Sequence, residues 1–180
     1  MTLEPVATAA VLAQWQARAA EVRRRMAPPG ISTPEQVAGL SGMQVFEAMF
    51  EGRLPSVPIS ETVDMLAVEI EPGRAVFQGQ PKLAHYNPLG TVHGGWIATL
   101  LDSCVGCAVH SALPARKGYT TVELKINYVR AVTTQVQLVR AEGKVIHLGG
   151  RMATADGRLV GPDGKLYAHA STTCFVFDIP

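Results

Sequence analysis

Residues 96–109 read WIATLLDSCVGCAV, and this stretch decides the fold. Asp102 is its one charged side chain. A helix that is apolar nearly all round its circumference is a buried helix. The stretch therefore predicts one long helix inside the molecule, over residues 94–112, which Pro114 ends.

Strand-like patterns stand on both sides of this helix. The six predicted strands are residues 62–71, 74–79, 119–130, 135–147, 150–160 and 165–177. The first two are joined at Pro72-Gly73 and the last two at Gly161-Pro162-Asp163-Gly164, which is a hairpin turn sequence. One long helix cannot cover both faces of a doubly wound sheet. We therefore predict an α+β fold in which a six-stranded antiparallel sheet wraps around one long central helix.

The first strand after the helix alternates regularly. Its apolar residues are Val122, Leu124, Ile126 and Tyr128, and those between them are Glu123, Lys125 and Asn127. This period is typical of a strand with one buried and one polar face, so Val122 is expected to face the core. By the same alternation Thr121 lies on the polar face, unless a bulge or the strand end changes the register.

The N-terminal part of the chain has a different texture. Apolar residues recur at helical spacing over residues 7–26, and a second short helix is predicted from about Thr33 or Gly42 through Phe50. The segment after it, residues 52–58, is a stiff linker with two prolines. We therefore expect an N-terminal helical extension and linker, residues 1–55, and a main domain, residues 56–180.

Composition and charge argue against several classes of protein. Hydrophobic residues make up 47% of the 180 residues, enough to fill a core. A net charge of +1 provides no basic field for nucleic acid. No apolar run reaches the length of a membrane span, and the N-terminus lacks the residue order of a signal peptide. Three cysteines do not make a disulfide framework, so the cytoplasm is the expected location.

Asp102 is the first candidate for chemistry. The neighbours on its face of the predicted helix are small: Gly95, Ala98, Thr99 and Gly106. A carboxylate in an apolar pocket is a stronger base than one in water, and it can activate water or attack as a nucleophile. The alternative is a carboxylate that faces solvent or makes a structural hydrogen bond. Because buried charges are rare unless paired or functional, the functional interpretation is favoured.

The sequence His93-Gly94-Gly95 stands where the loop becomes the helix. The first N–H groups of a helix have no partner within it, and the helix dipole is positive there. Glycines let a substrate carbonyl come close, so the Gly94 N–H could stabilise an oxyanion. Taken alone, the motif is more typical of a flexible helix start, and the acid eight residues after Gly94 strengthens it.

Residues 87–102, NPLGTVHGGWIATLLD, resemble the signature of the hotdog-fold thioesterases of the phenylacetic-acid-degradation (PaaI-like) type. Residues 118–128, GYTTVELKINY, are similar to the strand that follows the helix in that family. The linker sequence Gly52-Arg53-Leu54-Pro55 resembles one branch of it. The resemblance spans about residues 61–177. It implies a hotdog fold that hydrolyses an acyl-coenzyme A thioester, with no cofactor and no metal.

The resemblance also implies roles for five residues. Asp102 matches the catalytic carboxylate, and Gly94 matches the residue whose N–H polarises the thioester carbonyl. Asn87 matches a loop residue near the attacking water or the thioester. His93 matches a histidine that shapes the loop near the sulfur. Thr121 matches a hydroxyl residue, supplied across a subunit interface, that helps to place the water.

The resemblance further implies a homodimer, or a dimer of dimers, with active sites between subunits. No nucleic acid or membrane is expected as a partner. Arg130, Arg151 and Lys82 are candidates for the phosphates of coenzyme A, and solvated surface charge is an equal alternative. The acyl group stays open. Trp96, Tyr86 and Tyr119 would suit an aromatic acyl group, although packing is the commoner role at such positions.

Other interpretations were weighed beside hydrolysis. Cys104 and Cys107 have the spacing of a redox or metal pair, but small core residues are favoured because no second pair accompanies them. A hotdog hydratase or dehydratase would act on a related acyl thioester. A non-catalytic module that binds or senses acyl-coenzyme A would need no base at all.

Overall fold

The computed structural model describes residues 4–179. Its N-terminal elements are α1 (Pro5–Arg25), β1 (Ala27–Pro29), α2 (Pro34–Val37), α3 (Gly42–Phe50), β2 (Pro55–Ser56) and α4 (Ile59–Thr62). They are followed by β3 (Met65–Glu71), β4 (Arg74–Gly79), α5 (Gly94–Ser111), β5 (Lys117–Tyr128), β6 (Val139–Leu148), β7 (Met152–Val160) and β8 (Leu166–Asp178). Two short 3₁₀ turns lie at Leu83–His85 and Thr134–Val136.

The predicted fold is confirmed. Strands β3 to β8 form one six-stranded sheet in the order β3-β4-β6-β7-β8-β5, and every neighbouring pair is antiparallel. Helix α5 is the long central helix, and its side chains form the core with those of the strands. Because the sheet has β3 at one edge and β5 at the other, each edge strand pairs on one side only in the described part of the chain.

The sheet and α5 approach each other at backbone distance where β6 crosses the helix. Gly143 of β6 is buried, and a Cβ at that position would lie 2.3 Å from the carbonyl oxygen of Cys104. Gly157 of β7 allows a similar approach, because a Cβ there would lie 2.8 Å from Cγ1 of Val105. These two glycines let the sheet curl closely around α5, which fixes the position of the helix and of its side chains.

The N-terminal elements pack on two sides of the main sheet. Helix α1 lies against β3 and β4, where Ala19 and Val22 join a small apolar cluster with Val68 and Val76. Helix α3 docks at the C-terminal end of α5, and its Phe46 belongs to the main core. The division of the chain at residue 55 stays a prediction. The ends of the two predicted ranges, residues 1–3 and 180, lie outside the described residues.

The structure differs from the expected elements at three places. Residues 59–62 form α4, so the predicted strand over 62–71 begins only at Met65. The predicted strand over 135–147 begins at Val139, after the second 3₁₀ turn. Strands β1 and β2 pair in parallel between residues 27–29 and 55–56, within segments expected to end a helix and to form a linker. Their prolines hide the pairing from sequence, since proline lacks the N–H that a strand uses.

Candidate active site

Helix α5 presents one half-buried strip. The side that faces the sheet carries Leu100, Leu101, Cys104 and Val105, which have no exposed surface. The strip on the other side consists of the partly exposed residues Ala98, Thr99, Asp102, Ser103 and Cys107. Asp102 lies in the middle of this strip and is half-buried rather than fully buried. The small neighbours expected from the sequence therefore leave room for another molecule beside the carboxylate.

A β-bulge brings Thr121 to Asp102. Thr121 and Glu123 pair with adjacent residues of β8, so Val122 is an extra residue in β5. Thr121 therefore faces the helix, and its hydroxyl donates a 3.0 Å hydrogen bond to Oδ1 of Asp102. The prediction that Val122 faces the core is wrong, because the bulge turns its side chain outward with 57% of it exposed.

The contact between Thr121 and Asp102 is made within one chain. The family resemblance implied a hydroxyl supplied across a subunit interface. Here the bulge makes a partner unnecessary for this hydrogen bond. Since Thr121 occupies Oδ1, the second carboxylate oxygen of Asp102 is left for a water molecule or a substrate.

Other titratable groups near the strip are held in their neutral forms. Burial raises the pKa of the Cys107 thiol to about 12. Burial also raises the pKa of the Tyr119 hydroxyl, and it lowers the pKa of the His110 imidazole. All three groups are therefore uncharged near pH 7, and Asp102 is the one carboxyl group on α5.

Tyr119, which was considered for an aromatic acyl pocket, packs against α5 on the face that carries Asp102. A Cβ on Gly106 would lie 2.8 Å from the Tyr119 hydroxyl, so the glycine makes room for the ring. The sequence signal for this contact was Gly106 itself. A glycine inside a helix destabilises the helix, so its presence there indicates that another group packs closely against that position.

The start of α5 keeps one N–H group available. His93 is the N-cap of the helix, and its Nδ1 accepts a 2.9 Å hydrogen bond from the Gly95 N–H. Among the hydrogen bonds of residues 4–179, none is donated by the N–H of Gly94. Tyr128 lies against Gly94 and donates a 3.1 Å hydrogen bond to its carbonyl oxygen. Tyr128 is 52% exposed, because it reaches over the helix start instead of into the core, where alternation placed it.

Asn87 organises the loop before α5. Its Nδ2 donates a 2.9 Å hydrogen bond to Oγ1 of Thr91, and its Oδ1 accepts a 2.8 Å hydrogen bond from the Leu89 N–H. The loop is tight, with Gly90 at a φ of 83°. The structure thus brings Thr121 to Asp102, places His93 and Gly94 together at the helix start, and holds Asn87 in the loop by contacts with the loop itself.

A cleft opens beside Gly94. It has a volume of about 340 Å³ and is lined by Gly94, Ile97, Tyr128 and Arg130, among others. Of the three cations proposed for coenzyme A phosphates, only Arg130 lines this cleft. Lys82 pairs with Asp64 at 2.6 Å, and Arg151 lies over the ring of Phe175. Arg130 is therefore the one of the three that stands next to the helix start.

Residues 4–179 contain no group of three or more His, Cys, Asp and Glu side chains placed to hold a metal ion. In the same residues all three cysteines are free thiols, with Cys104 and Cys174 buried. No helix in this part of the chain is long and apolar enough to cross a membrane.

Comparisons with known proteins identify the family. A family model described as the thioesterase superfamily matches residues 89–168, which include α5 and its acid. A conserved protein of Pseudomonas aeruginosa, PA5202, is 30% identical in sequence; the alignment covers 68% of this chain and 95% of that one, with a TM-score of 0.63. The chain belongs to the thioesterase superfamily. It has the hotdog fold of the PaaI-like thioesterases.

Two further relatives support the same family. The phenylacetic acid degradation protein PaaI from Thermus thermophilus, in a mutant structure, is 28% identical with a TM-score of 0.59; the alignment covers 66% of this chain and 97% of that one. A curated protein of Halobacterium salinarum with the word esterase in its name is 44% identical over 52 residues, which are 27% of this chain. The match spans about a third of that relative's length, 34%.

Proposed function

We propose that this protein hydrolyses acyl-coenzyme A thioesters to a free acid and coenzyme A, with Asp102 as the base or nucleophile. The observation that carries the proposal is the hydrogen bond from Thr121 to Asp102 on the half-buried strip of α5. It orients a carboxylate whose neighbours are small or neutral and leaves one of its oxygens available. Membership of the thioesterase superfamily supports the reaction class.

As a base, Asp102 would take a proton from water while the water oxygen attacks the thioester carbonyl carbon. The resulting oxyanion would accept a hydrogen bond from the Gly94 N–H at the positive end of the helix dipole. The tetrahedral intermediate then collapses, the C–S bond breaks, and the thiolate of coenzyme A takes the proton from Asp102. As a nucleophile, Asp102 would itself displace the thiolate, and water would then hydrolyse the mixed anhydride. Both routes require an ionised carboxylate at position 102.

The other predicted site residues would act by holding the helix start. His93 caps the second N–H of α5 and leaves the first one, on Gly94, available to a substrate carbonyl. Asn87 would keep the preceding loop in the tight turn from which the helix begins. The cleft lined by Gly94 and Arg130 would receive coenzyme A, because a guanidinium suits phosphate oxygens.

The proposal includes self-association into a homodimer or a dimer of dimers. Strand β5 is an edge strand whose outer side pairs with no other strand among residues 4–179. A long unpaired edge is a template for pairing with another strand. A second copy of the chain that pairs with β5 would lie close to Thr121 and to the helix start.

Thr121→Val is expected to lower kcat by about tenfold or more, because a hydrogen bond to a charged group contributes about 1.5–3 kcal/mol. Thr121→Ser keeps the hydroxyl and should restore kcat to within about threefold of wild type. Steady-state thiol release from one acyl-coenzyme A ester measures both variants. If the Ser variant were as slow as the Val variant, retaining the hydroxyl would not restore activity, and the hydrogen bond from Thr121 would not explain the loss.

Thiol release also tests the reaction class. Wild type should release thiol from saturated acyl-coenzyme A esters faster than a protein-free control. A loss of enoyl absorbance from an unsaturated ester, without thiol release, would instead identify a hydratase. Binding of the esters without either reaction would identify a binding module and would contradict the proposal.

A further inference from the structure

A cavity of about 410 Å³ lies between the N-terminal elements and the main sheet. Its lining is largely apolar and includes Met26, Phe46, Met49, Phe50, Met65 and Phe77. Among its polar residues, Arg23 and Glu61 are exposed, and the partly buried Asp64 is paired with Lys82 at 2.6 Å. Ligand pockets of this size and lining are typical sites for small apolar groups.

The cavity depends on the segment that precedes the six-stranded sheet. One wall comes from α1, β1 and α3, and the other from β3, β4 and Cys107 of α5. The pairing of β1 with β2 closes the segment into a loop over the sheet. Gly42 anchors α3 on the end of α5, since its N–H donates a 3.1 Å hydrogen bond to the carbonyl of Leu113. A Cβ on Gly42 would overlap the His110 carbonyl oxygen, so α3 sits as close to α5 as two backbones can.

The cavity reaches the half-buried strip of α5 that carries Asp102. Cys107 lines the cavity and belongs to the same strip. Ser103, next to Asp102 in sequence, lies 3.6 Å from the sulfur of Met65, which also lines the cavity. At a rise of about 1.5 Å per residue, Cys107 is roughly 8 Å beyond Asp102, on the far side from Gly94. An acyl group that extends from a thioester at Asp102 toward the C-terminal end of α5 would thus reach the cavity.

We propose that this cavity binds the acyl group of the substrate and that the preferred acyl group is an unbranched aliphatic chain. The inference rests on the proposed thioesterase function and adds a substrate class and a role for the N-terminal extension. Three of the lining residues are methionines, whose flexible side chains adapt to a flexible chain. Two of the three aromatic residues considered for an aromatic pocket are engaged elsewhere: Trp96 Nε1 donates a 2.7 Å hydrogen bond to the Val63 carbonyl, and the Tyr86 hydroxyl accepts one from the Thr134 N–H. The third, Tyr119, packs against Gly106 and does not line the cavity.

The preference for chain length tests this proposal. For wild type, kcat/KM should rise about fourfold for each added methylene from acetyl- to hexanoyl-coenzyme A, because each CH₂ becomes buried. Benzoyl-coenzyme A should be a poorer substrate than hexanoyl-coenzyme A. A flat dependence on length, or a preference for benzoyl-coenzyme A, would overturn the proposal.

Met49→Trp fills the cavity from α3 and should lower the ratio of kcat/KM for hexanoyl- over acetyl-coenzyme A by roughly tenfold or more. The matched control is Glu47→Trp, which adds the same ring on the exposed side of the same helix and should leave the ratio within about twofold. Because both substrates are measured on one preparation, the ratio does not depend on the folded fraction. If Met49→Trp left this ratio unchanged, the cavity would not be the site that binds the acyl group.

Failure of this inference can be told from failure of the proposed function. If wild type hydrolysed no ester, titration calorimetry of wild type and Met49→Trp with acetyl- and hexanoyl-coenzyme A would test the cavity alone. If wild type bound the hexanoyl ester more tightly than the acetyl ester, and Met49→Trp did not, the cavity would be supported as an acyl site even without hydrolysis. Equal affinities of wild type for the two esters would overturn it. Turnover without a preference for chain length would contradict the acyl-binding role of the cavity, whereas the proposed hydrolase function would still hold.

Discussion

Asp102→Asn is expected to lower kcat for acyl-coenzyme A hydrolysis by about 10²–10⁴-fold, the range that general acid–base catalysis contributes. The amide oxygen of asparagine can still accept the hydrogen bond from Thr121, so the local structure is kept. The amide can neither take a proton from water nor attack the thioester. Thiol release at saturating substrate measures the loss, and thermal unfolding of the same sample shows that the variant is folded.

The matched control is Asp156→Asn, which neutralises an exposed carboxylate on β7 and should leave kcat within about twofold of wild type. If Asp156→Asn lowered kcat as much as Asp102→Asn does, the loss would come from the changed net charge and not from a catalytic role of Asp102. Full activity of Asp102→Asn would end the catalytic role of this residue, whatever the status of the family assignment.

Gly143→Ala is expected to lower the free energy of unfolding by about 3 kcal/mol, at the upper end of the cost of overpacking a core. The added methyl would meet the backbone of Cys104 at 2.3 Å and the N atom of Val105 at 2.7 Å. Backbone atoms of a buried helix cannot rotate away as a side chain can, so the helix or the strand must shift. Urea unfolding with an unchanged slope measures the difference.

Gly150→Ala is the control for this substitution. Gly150 lies in the turn between β6 and β7, and a Cβ there would have nothing within 4 Å. Its free energy of unfolding should stay within about 0.5 kcal/mol of wild type. If Gly143→Ala were as stable as Gly150→Ala, the close approach of the sheet to α5 would not be a feature of the folded protein.

Much of the fold could be predicted because one short stretch, residues 96–109, identifies its central helix. A single acid among apolar residues identifies both the buried helix and the candidate carboxylate. The strands follow from alternation and from the hairpin turn at residues 161–164. The family signature around the helix then names the fold.

The rest depends on contacts between segments far apart in sequence. The bulge at Val122 places Thr121 beside Asp102, and no local pattern indicates it, since Val122 continues the alternation of β5. The pairing of residues 27–29 with 55–56 joins two proline-containing segments that carry no strand signal. The cavity exists only once that pairing and the docking of α3 are in place, so no single stretch of sequence could predict it.

Hydrolysis in water enriched in ¹⁸O tests the central claim, transfer of the acyl group to water, most directly. The account predicts that wild type, over many turnovers, releases one thiol for each molecule of free acid, and that the acid carries oxygen from the solvent. The base and nucleophile routes give the same result, because in both the new oxygen comes from water. Thiol release without free acid, or no release from any acyl-coenzyme A ester, would contradict the account.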